Sequence, residues 1–207
     1  MDSAQDSNYA IIGGTSKAGT TSLFLYLADH PQLCGANSKE TGFFLDDNYP
    51  RRTKYRLQDG LNHYSTYFNL CADRPYYLDA TPDYLYSVGA ALRIRSSLTK
   101  VKLIFILRDP VDRLVSWYRF AKQLGRIAAD LPFEDYVVQQ FAESPISPGE
   151  QPYMRALQQG RYDTYLQSYY DCFSPDDIFI ASYETLKHDA PQLMLDLSKF
   201  LGIDSAF

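Results

Sequence analysis

One glycine-rich stretch, GGTSKAGTTS at residues 13–22, constrains the fold of this chain more than any other part of its sequence. It follows the apolar run YAIIG (residues 9–13) and overlaps GTTSLFLYLAD (residues 19–29), so the pattern predicts a strand, a turn and a helix. Gly14 and Gly19 have the spacing found in the phosphate-binding loop of nucleoside triphosphatases. Such a loop turns backbone N–H groups and a helix N-terminus toward an anion.

The lysine of this stretch does not stand where those nucleoside triphosphatases have it. In them, Lys and then Ser or Thr follow the second glycine at once. Here Thr20 and Thr21 follow Gly19, and Lys17 comes two residues before that glycine. We therefore expect the cationic side chain to reach the crest of the loop rather than a γ-phosphate held with a metal. The spacing predicts an anion site for a different ligand.

Strand and helix patterns alternate along the rest of the chain. Apolar runs predict strands at YYLDA (76–80), VKLIFIL (101–107) and IFIASY (178–183). Helical spacing predicts helices from Pro110 and near residues 86–97, 132–143, 151–172 and 189–201. This order predicts one domain over residues 1–207 with an α/β fold of three layers, a central parallel sheet flanked by helices, like that of P-loop nucleoside triphosphatases. Ligands of such sheets bind beyond the carboxyl ends of the strands, where the glycine-rich loop and the RDP of residues 108–110 fall.

Composition and charge narrow the class of ligand. No run approaches the roughly 20 apolar residues of a membrane span, and the polar N-terminus MDSAQDSN predicts no signal peptide. The net charge of −5 argues against general nucleic-acid binding. The basic residues are nevertheless concentrated, which indicates a local site for a small polyanion. Nine of the twenty fall within 34 positions: Arg93, Arg95, Lys100, Lys102, Arg108, Arg113, Arg119, Lys122 and Arg126.

The cysteines predict the compartment. Cys34, Cys71 and Cys172 are odd in number and lack close metal or redox spacing. This pattern predicts reduced thiols and a cytoplasmic protein.

Two segments together carry a resemblance to a known family. TSKAGTTSL after the first strand and LIFILRDPVDRLVSWY (residues 103–118) resemble the sulfotransferases that use 3′-phosphoadenosine 5′-phosphosulfate (PAPS). The resemblance extends from residue 9 to about residue 202. It implies that the first loop wraps the 5′-phosphosulfate with Lys17 on the bridging oxygen, and that Arg108 and Ser116 hold the 3′-phosphate. By position, the loop residues are Ser16, Lys17, Ala18, Gly19, Thr20, Thr21 and Ser22.

Sulfuryl transfer needs the chemistry that these residue types offer. An in-line displacement at sulfur requires a base for the acceptor proton and positive charge where the leaving phosphate oxygen develops its own charge. Lys17 and the loop amides can supply that charge, so we expect no metal site. A guanidinium and a hydroxyl, from Arg108 and Ser116, make a phosphate clamp. The product of the donor would be adenosine 3′,5′-bisphosphate.

Two residues are candidates for the base. SKETGFF (residues 38–44) is similar to the Lys-Glu-x-x-Phe-Phe segment of the sulfotransferases that modify heparan chains. That similarity implies that Glu40 takes the acceptor proton, with Lys39 nearby on the base or on the sulfuryl oxygens. The sulfotransferases that act on phenols and steroids use a histidine instead, which leaves His63 as the alternative. We prefer Glu40.

The acceptor is less defined than the donor. DATPDYL (residues 79–85) resembles the Ser/Thr-Pro-x-Tyr element of the same subgroup, which implies that Thr81 and Tyr84 line the acceptor cleft. The mild overall acidity argues against a long polyanionic acceptor, so we expect a small molecule, a lipid or a short sugar. The sequence indicates no oligomeric state.

The chain ends at LGIDSAF, before the basic, glycine-containing loop that the resemblance implies over the nucleotide. We therefore expect either a fragment of a longer protein or a shortened member with an open nucleotide site. Three functions follow: a sulfotransferase, which we favour; a nucleoside triphosphate-dependent kinase or hydrolase, which the absent Gly-Lys-Thr order disfavours; and a non-catalytic module that keeps the nucleotide fold.

Overall fold

The computed structural model describes residues 7–71, 74–141 and 155–205, and it confirms the predicted α/β fold. The strands are β1 (Asn8–Gly14), β2 (Leu33–Gly35), β3 (Tyr76–Ala80), β4 (Lys100–Leu107) and β5 (Ile178–Ser182). They form one parallel sheet in the order β2-β3-β1-β4-β5. The helices are α1 (Thr20–Ala28), α2 (Asn62–Ser65), α3 (Ala90–Ser97), α4 (Pro110–Gln123), α5 (Phe133–Gln140), α6 (Tyr162–Tyr170), α7 (Tyr183–His188) and α8 (Ala190–Leu201).

Both faces of the sheet are buried, as its apolar strands predict. Tyr9 and Ile11 of β1 belong to one hydrophobic cluster, which α2, α3 and α6 cover. Ala10 and Ile12 belong to the other, which α1, α7 and α8 cover. Because side chains alternate along a strand, β1 contributes residues to the hydrophobic clusters on both faces of the sheet.

Several helix boundaries differ from the sequence prediction. The helix expected over residues 86–97 begins at Ala90, after a separate 3-10 turn at Pro82–Tyr86. Of the helix expected over residues 151–172, the structure forms α6, and residues 151–154 lie outside the described residues. The unexpected α7 begins where Ser182 Oγ accepts hydrogen bonds from two backbone N–H groups of its first turn, a usual cap.

The cysteine prediction is wrong for two of the three residues. Cys34 in β2 and Cys71 form a disulfide with their Cα atoms 5.6 Å apart, and Cys172 is free. The two paired residues are 37 positions apart, so their meeting depends on tertiary structure and not on a local motif. Disulfides persist mainly in oxidising compartments. The cysteines therefore no longer support a cytoplasmic location, which stays a prediction.

The segments that follow the strands meet at one edge of the sheet. Parallel pairing places the carboxyl ends of β1, β3 and β4 side by side, with Ile12 opposite Ala80 and Gly14 opposite Phe105. The glycine-rich loop and the RDP segment both leave the sheet there, as expected for a parallel sheet. In the part of the chain that the structure describes, no helix has the length and hydropathy of a membrane span.

Candidate active site

The glycine-rich loop packs tightly between β1 and α1. The backbone N–H of Thr15 donates to Ile106 O at 2.9 Å, which ties the start of the loop to β4. A Cβ on Gly14 would lie 2.8 Å from the Cβ of Leu85, and Gly19 has φ 85°. Both positions therefore need glycine, one for space and one for backbone conformation. The loop delivers its backbone directly to the N-terminus of α1.

Lys17 stands at the crest of this loop in a left-handed conformation, with φ 71°. Its Nζ lies 3.7 Å from the centroid of the Phe120 ring, and Arg108 Nη1 donates to its carbonyl oxygen at 3.4 Å. Burial, and then the neighbouring Arg108 charge, lower the pKa of the Lys17 ammonium. The Lys17 side chain, which we expected at the leaving oxygen, thus lines the cleft next to Phe120 of α4.

A cleft of about 770 Å³ opens in front of the loop. It is lined by Ser16, Lys17, Gly19, Thr20, Thr21, Ser22, Glu40, Pro50, Arg51, Pro82, Asp83, Arg108, Ser116, Trp117, Phe120, Leu124, Arg126 and Tyr183. The structure therefore brings together most of the residues expected to hold the donor. Ala18 is the exception, because its side chain is fully buried and only its backbone belongs to the loop.

Arg108 and Ser116 reach the cleft from the end of β4 and from α4. The Arg108 guanidinium lies 4.5 Å from the Tyr183 ring centroid, and its Nε is buried with no hydrogen-bond partner among the described residues. Asp109 does not pair with it; the Asp109 carboxylate accepts hydrogen bonds from the N–H groups of Val111 and Asp112 and caps α4. A buried guanidinium nitrogen without a partner suits an anionic ligand.

The basic segment noted in the sequence does not form one patch. Of its nine cations, Arg108 and Arg126 line the cleft. Arg93 pairs with Asp46, and Lys102 pairs with Asp177 at 2.9 Å. Proximity along the chain therefore overstated the positive charge of the site.

Glu40 lies on the other side of the cleft, in the loop after β2. Its carboxylate contacts Lys39 Nζ at 2.7 Å and forms a second ion pair with Arg51. Burial raises the pKa of Glu40, but the contacts with Lys39 and Arg51 outweigh it, and the net pKa is lowered. Glu40 is thus held as a carboxylate at the wall of the cleft.

Lys17 and Glu40 share an uncommon backbone feature. They are the two non-glycine residues with positive φ in the described chain, at 71° and 66°. This conformation is disfavoured for residues with a Cβ and persists where the surrounding structure enforces it. The strain therefore marks the two residues that the sequence analysis placed on either side of the transferred group.

Thr81 and Tyr84 do not line the cleft, which corrects the sequence analysis. Both side chains are fully buried, because they donate hydrogen bonds to the buried Asp79 carboxylate at 3.0 and 2.9 Å. Thr41 Oγ1 donates to the same carboxylate at 2.8 Å, and Tyr64 OH does so at 3.2 Å. Burial raises the pKa of Asp79, and these four hydroxyl donors oppose that rise.

The same buried hydroxyls hold the Glu40 loop. Gly42 N–H donates to Thr81 Oγ1 at 3.1 Å, and Phe44 N–H donates to Tyr84 OH at 3.3 Å. Thr81 and Tyr84 thus position the Glu40 loop through hydrogen bonds on its buried side. Their neighbours Pro82 and Asp83 are the residues of that segment that face the cleft.

His63, the alternative base, lies elsewhere. It belongs to α2, where its ring stacks on Tyr55 with centroids 4.3 Å apart, and it is not among the residues that line the cleft. The structure thus brings Glu40, and not His63, to the glycine-rich loop.

A second, smaller groove of about 300 Å³ adjoins Glu40. It is lined by Asn37, Ser38, Glu40, Thr41, Arg52, Thr53, Lys54, Thr66 and Tyr67. Glu40 lines both this groove and the larger cleft. The lining is polar and basic, so it suits a hydroxylated molecule better than a flat apolar one.

Nine residues that line the cleft had no individual site role in the sequence analysis, although Arg126 belonged to its basic segment: Pro50, Arg51, Pro82, Asp83, Trp117, Phe120, Leu124, Arg126 and Tyr183. Asp83 stood inside a segment already singled out, and its place before Tyr84 was the available signal. Arg51 comes from a loop without a recognisable pattern. Among the described residues, no group of His, Cys, Asp or Glu is arranged to hold a metal ion.

Known proteins resemble this chain along nearly its whole length. The family model for the sulfotransferase domain matches residues 8–206. Human bifunctional heparan sulfate N-deacetylase/N-sulfotransferase 3 is 31% identical over 202 residues, which cover 93% of this chain and 22% of that protein. The membrane-associated sulfotransferase kil1 of Dictyostelium discoideum is 35% identical over 116 residues, 56% of this chain and 23% of that protein. The matched part thus spans about a fifth of the length of each of these curated relatives.

Solved structures give the same result. The crystal structure of a sulfotransferase from Alicyclobacillus acidocaldarius superposes with a TM-score of 0.81 and 28% identity, and the match covers 97% of this chain and 83% of that one. A mouse sulfotransferase complexed with PAP superposes with a TM-score of 0.58 at 14% identity, over 99% of this chain and 61% of that one. The second match is a likeness of fold.

Proposed function

This chain belongs to the sulfotransferase family, and from that premise we propose that it transfers a sulfuryl group from PAPS to a hydroxyl of a small-molecule, lipid or sugar acceptor. The observation that carries the proposal is the position of Glu40. It lines both the cleft with the anion-binding loop and the groove on its other side. A base at that boundary can serve a donor in one pocket and an acceptor in the other.

The larger cleft suits PAPS because two cationic side chains, Lys17 and Arg108, and a helix N-terminus line it. Lys17, the first residues of α1, Arg108 and Ser116 all line the cleft. The Arg108 guanidinium lines the cleft and has a long contact of 4.0 Å with the exposed Asp112 carboxylate, a weak pair that a phosphate oxygen can replace. PAPS, when bound, supplies the activated sulfuryl group.

The residues divide the work of transfer between them. Glu40 accepts the proton of the acceptor hydroxyl as its oxygen bonds to sulfur. Lys17 and the loop N–H groups neutralise the negative charge that develops on the phosphate oxygen as the sulfur–oxygen bond breaks. Lys39 does not line the cleft, but its Nζ lies 2.7 Å from Glu40 Oε1 and lowers the pKa of that carboxyl. No metal ion is assigned a part in this scheme.

We place the acceptor in the smaller groove. Asn37, Ser38 and Thr53 offer hydrogen bonds, while Arg52 and Lys54 supply positive charge. Such a lining suits a sugar, and relatives named for heparan sulfate N-sulfotransfer support a sugar acceptor. Because those names specify transfer to nitrogen, an amino sugar belongs in the set of acceptors to be tested beside hydroxylated ones.

Two measurements test this function. Adenosine 3′,5′-bisphosphate should raise the melting temperature because it binds the folded state, while ATP with magnesium should raise it less. The wild-type protein should then move labelled sulfate from PAPS to at least one acceptor among phenols, sterols, short glycosides and amino sugars. Stabilisation by ATP with magnesium alone, together with absence of transfer, would contradict the proposal.

A further inference from the structure

Arg51 joins two carboxylates that come from different parts of the chain. Its Nη1 lies 2.9 Å from Asp83 Oδ2, and its Nη2 pairs with Glu40 Oε2. Glu40 lies in the loop after β2, and Asp83 lies in the 3-10 turn after β3. All three side chains line the larger cleft. The planar guanidinium thus fixes the two carboxylates relative to each other.

This cluster continues to the glycine-rich loop. Asp83 is 5% exposed, and its Oδ1 accepts a hydrogen bond from Ser16 Oγ at 3.5 Å. A row of polar contacts therefore runs from Ser16 through Asp83 and Arg51 to Glu40. It joins the loop proposed to hold the donor to the residue proposed to accept the proton.

We propose that Arg51 is a positioning residue for sulfuryl transfer: it fixes the Glu40 carboxylate at the boundary of the two pockets and links it through Asp83 to the donor loop. The inference rests on the proposed function. Arg51 is assigned no direct contact with the reacting atoms, because both of its hydrogen-bonding ends are occupied by carboxylates.

The charges around Glu40 determine what removal of Arg51 would do. Lys39 and Arg51 lower the pKa of Glu40, whereas Asp83 faces the same group with a negative charge. Burial raises the pKa of Asp83, and Arg51 opposes that rise. Without Arg51, the pKa of both carboxyl groups should rise. The base must be ionised to act. As the pH is lowered, the variant should therefore lose activity at a higher pH than the wild type does.

Arginine and lysine should differ at this position. Only a planar fork can hold both carboxylates at once, whereas an ammonium is a point charge that can pair well with one. Arg51→Lys should therefore keep part of the lowering of the Glu40 pKa and restore part of the rate. The pKa of Glu40 should therefore be lowest in the wild type, higher in Arg51→Lys and highest in Arg51→Gln. A purely structural role of Arg51 would not produce this order.

The experiment compares Arg51→Gln and Arg51→Lys with Arg95→Gln, a change of the same kind at an exposed residue of α3 outside the cleft. The first readout is the pH dependence of kcat/KM for transfer between about pH 4 and about pH 9. The second is the titration of the Glu40 carboxyl by NMR, identified by the signal that is lost in Glu40→Gln. The second readout requires no turnover.

We expect Arg51→Gln to lower the rate about tenfold at pH 6 and to move both the acid limb and the Glu40 titration to higher pH. Arg51→Lys should lie between it and the wild type, and Arg95→Gln should match the wild type. An unmoved Glu40 titration in Arg51→Gln would overturn the inference, and so would a normal rate profile. If Arg51→Gln does not fold, the titration in Arg51→Lys decides in the same way.

Failure of the proposed function would be recognised separately. A wild-type protein that transfers sulfate to no acceptor would refute the function, and with it the catalytic part of the inference. The NMR titration would still establish whether Arg51 holds Glu40.

Discussion

The two sides of the cleft hold a strained residue by different means. On the donor side, Lys17 is held by its own backbone: the loop is tied to β4 through Thr15 and turns at Gly14 and Gly19. On the acceptor side, Glu40 is held by buried side chains. The loop around it is anchored to Asp79 through Thr41 and through the hydroxyls of Thr81 and Tyr84.

This difference decides which side can be recognised in a sequence. A backbone-built site needs glycines and a lysine at fixed offsets, and these stand together within ten residues. A site built from side chains is assembled from segments that lie tens of residues apart. Changes on the two sides should therefore have different effects on donor binding, on transfer and on stability.

The largest effect on transfer is expected from Glu40→Gln. Loss of the base should lower kcat about 10³-fold while adenosine 3′,5′-bisphosphate binds with nearly unchanged affinity. Kinetics measure the loss of kcat, and calorimetry on the same preparation measures the affinity for the bisphosphate. His63→Gln should keep the wild-type rate, since that ring stacks on Tyr55 outside the cleft. A wild-type rate in Glu40→Gln together with a large loss in His63→Gln would show that His63 is the base.

Lys17→Ala should lower transfer about 10²-fold, because it removes the cation that we propose to face the leaving oxygen. Its fold should be kept, since the ammonium lies over the Phe120 ring in the cleft and not in the core. Kinetics and thermal unfolding provide the measurement. Lys199→Ala, at a side chain that is 78% exposed on α8, is the matched control. Equal activity of Lys17→Ala and Lys199→Ala would remove Lys17 from the mechanism.

Asp79→Asn should affect both stability and rate. An amide offers one acceptor oxygen where four hydroxyls now donate to a buried carboxylate, so unfolding should become easier by about 1–3 kcal/mol. The rate should fall about tenfold as the Glu40 loop loosens, with bisphosphate affinity kept. Denaturant unfolding and kinetics measure this. Asp177→Asn, in a more exposed ion pair with Lys102, should change either quantity little. A loss of donor affinity in Asp79→Asn would show that the two sides are not independent.

The smallest effect on transfer is expected from Cys34→Ser. It should lower the free energy of unfolding by about 2–4 kcal/mol, because the disulfide with Cys71 closes a loop of 37 residues. The rate below the melting temperature should not change, since neither cysteine lines the cleft. Cys172→Ser should leave both stability and rate near their wild-type values. Identical melting of the Cys34 and Cys172 variants would contradict the disulfide.

The fold, and the loop residues that line the cleft, were predictable because the evidence for each was local. β4 is apolar almost throughout since both of its faces are buried. The offsets of Gly14, Lys17 and Gly19 reflect one continuous turn. β2 escaped prediction because three residues carry no periodicity.

The acceptor side was predicted only in part, because its residues meet through tertiary contacts. Thr81 and Tyr84 were expected to line the acceptor cleft but are fully buried, since a sequence does not tell a buried hydroxyl from one that faces a cleft. Arg51 carried no local signal at all, and its role depends on Glu40 and Asp83, 11 and 32 positions away. The disulfide between Cys34 and Cys71 was missed for the same reason, since its two residues are 37 positions apart and meet only in the folded chain.

Calorimetric titration of adenosine 3′,5′-bisphosphate into the wild type, Arg108→Ala and Glu40→Gln tests most directly whether one cleft holds a donor site and a separate base. We expect binding to the wild type, a loss of at least about tenfold in affinity for Arg108→Ala, and affinity near that of the wild type for Glu40→Gln. No binding to the wild type, or an equal loss in both variants, would contradict this expectation.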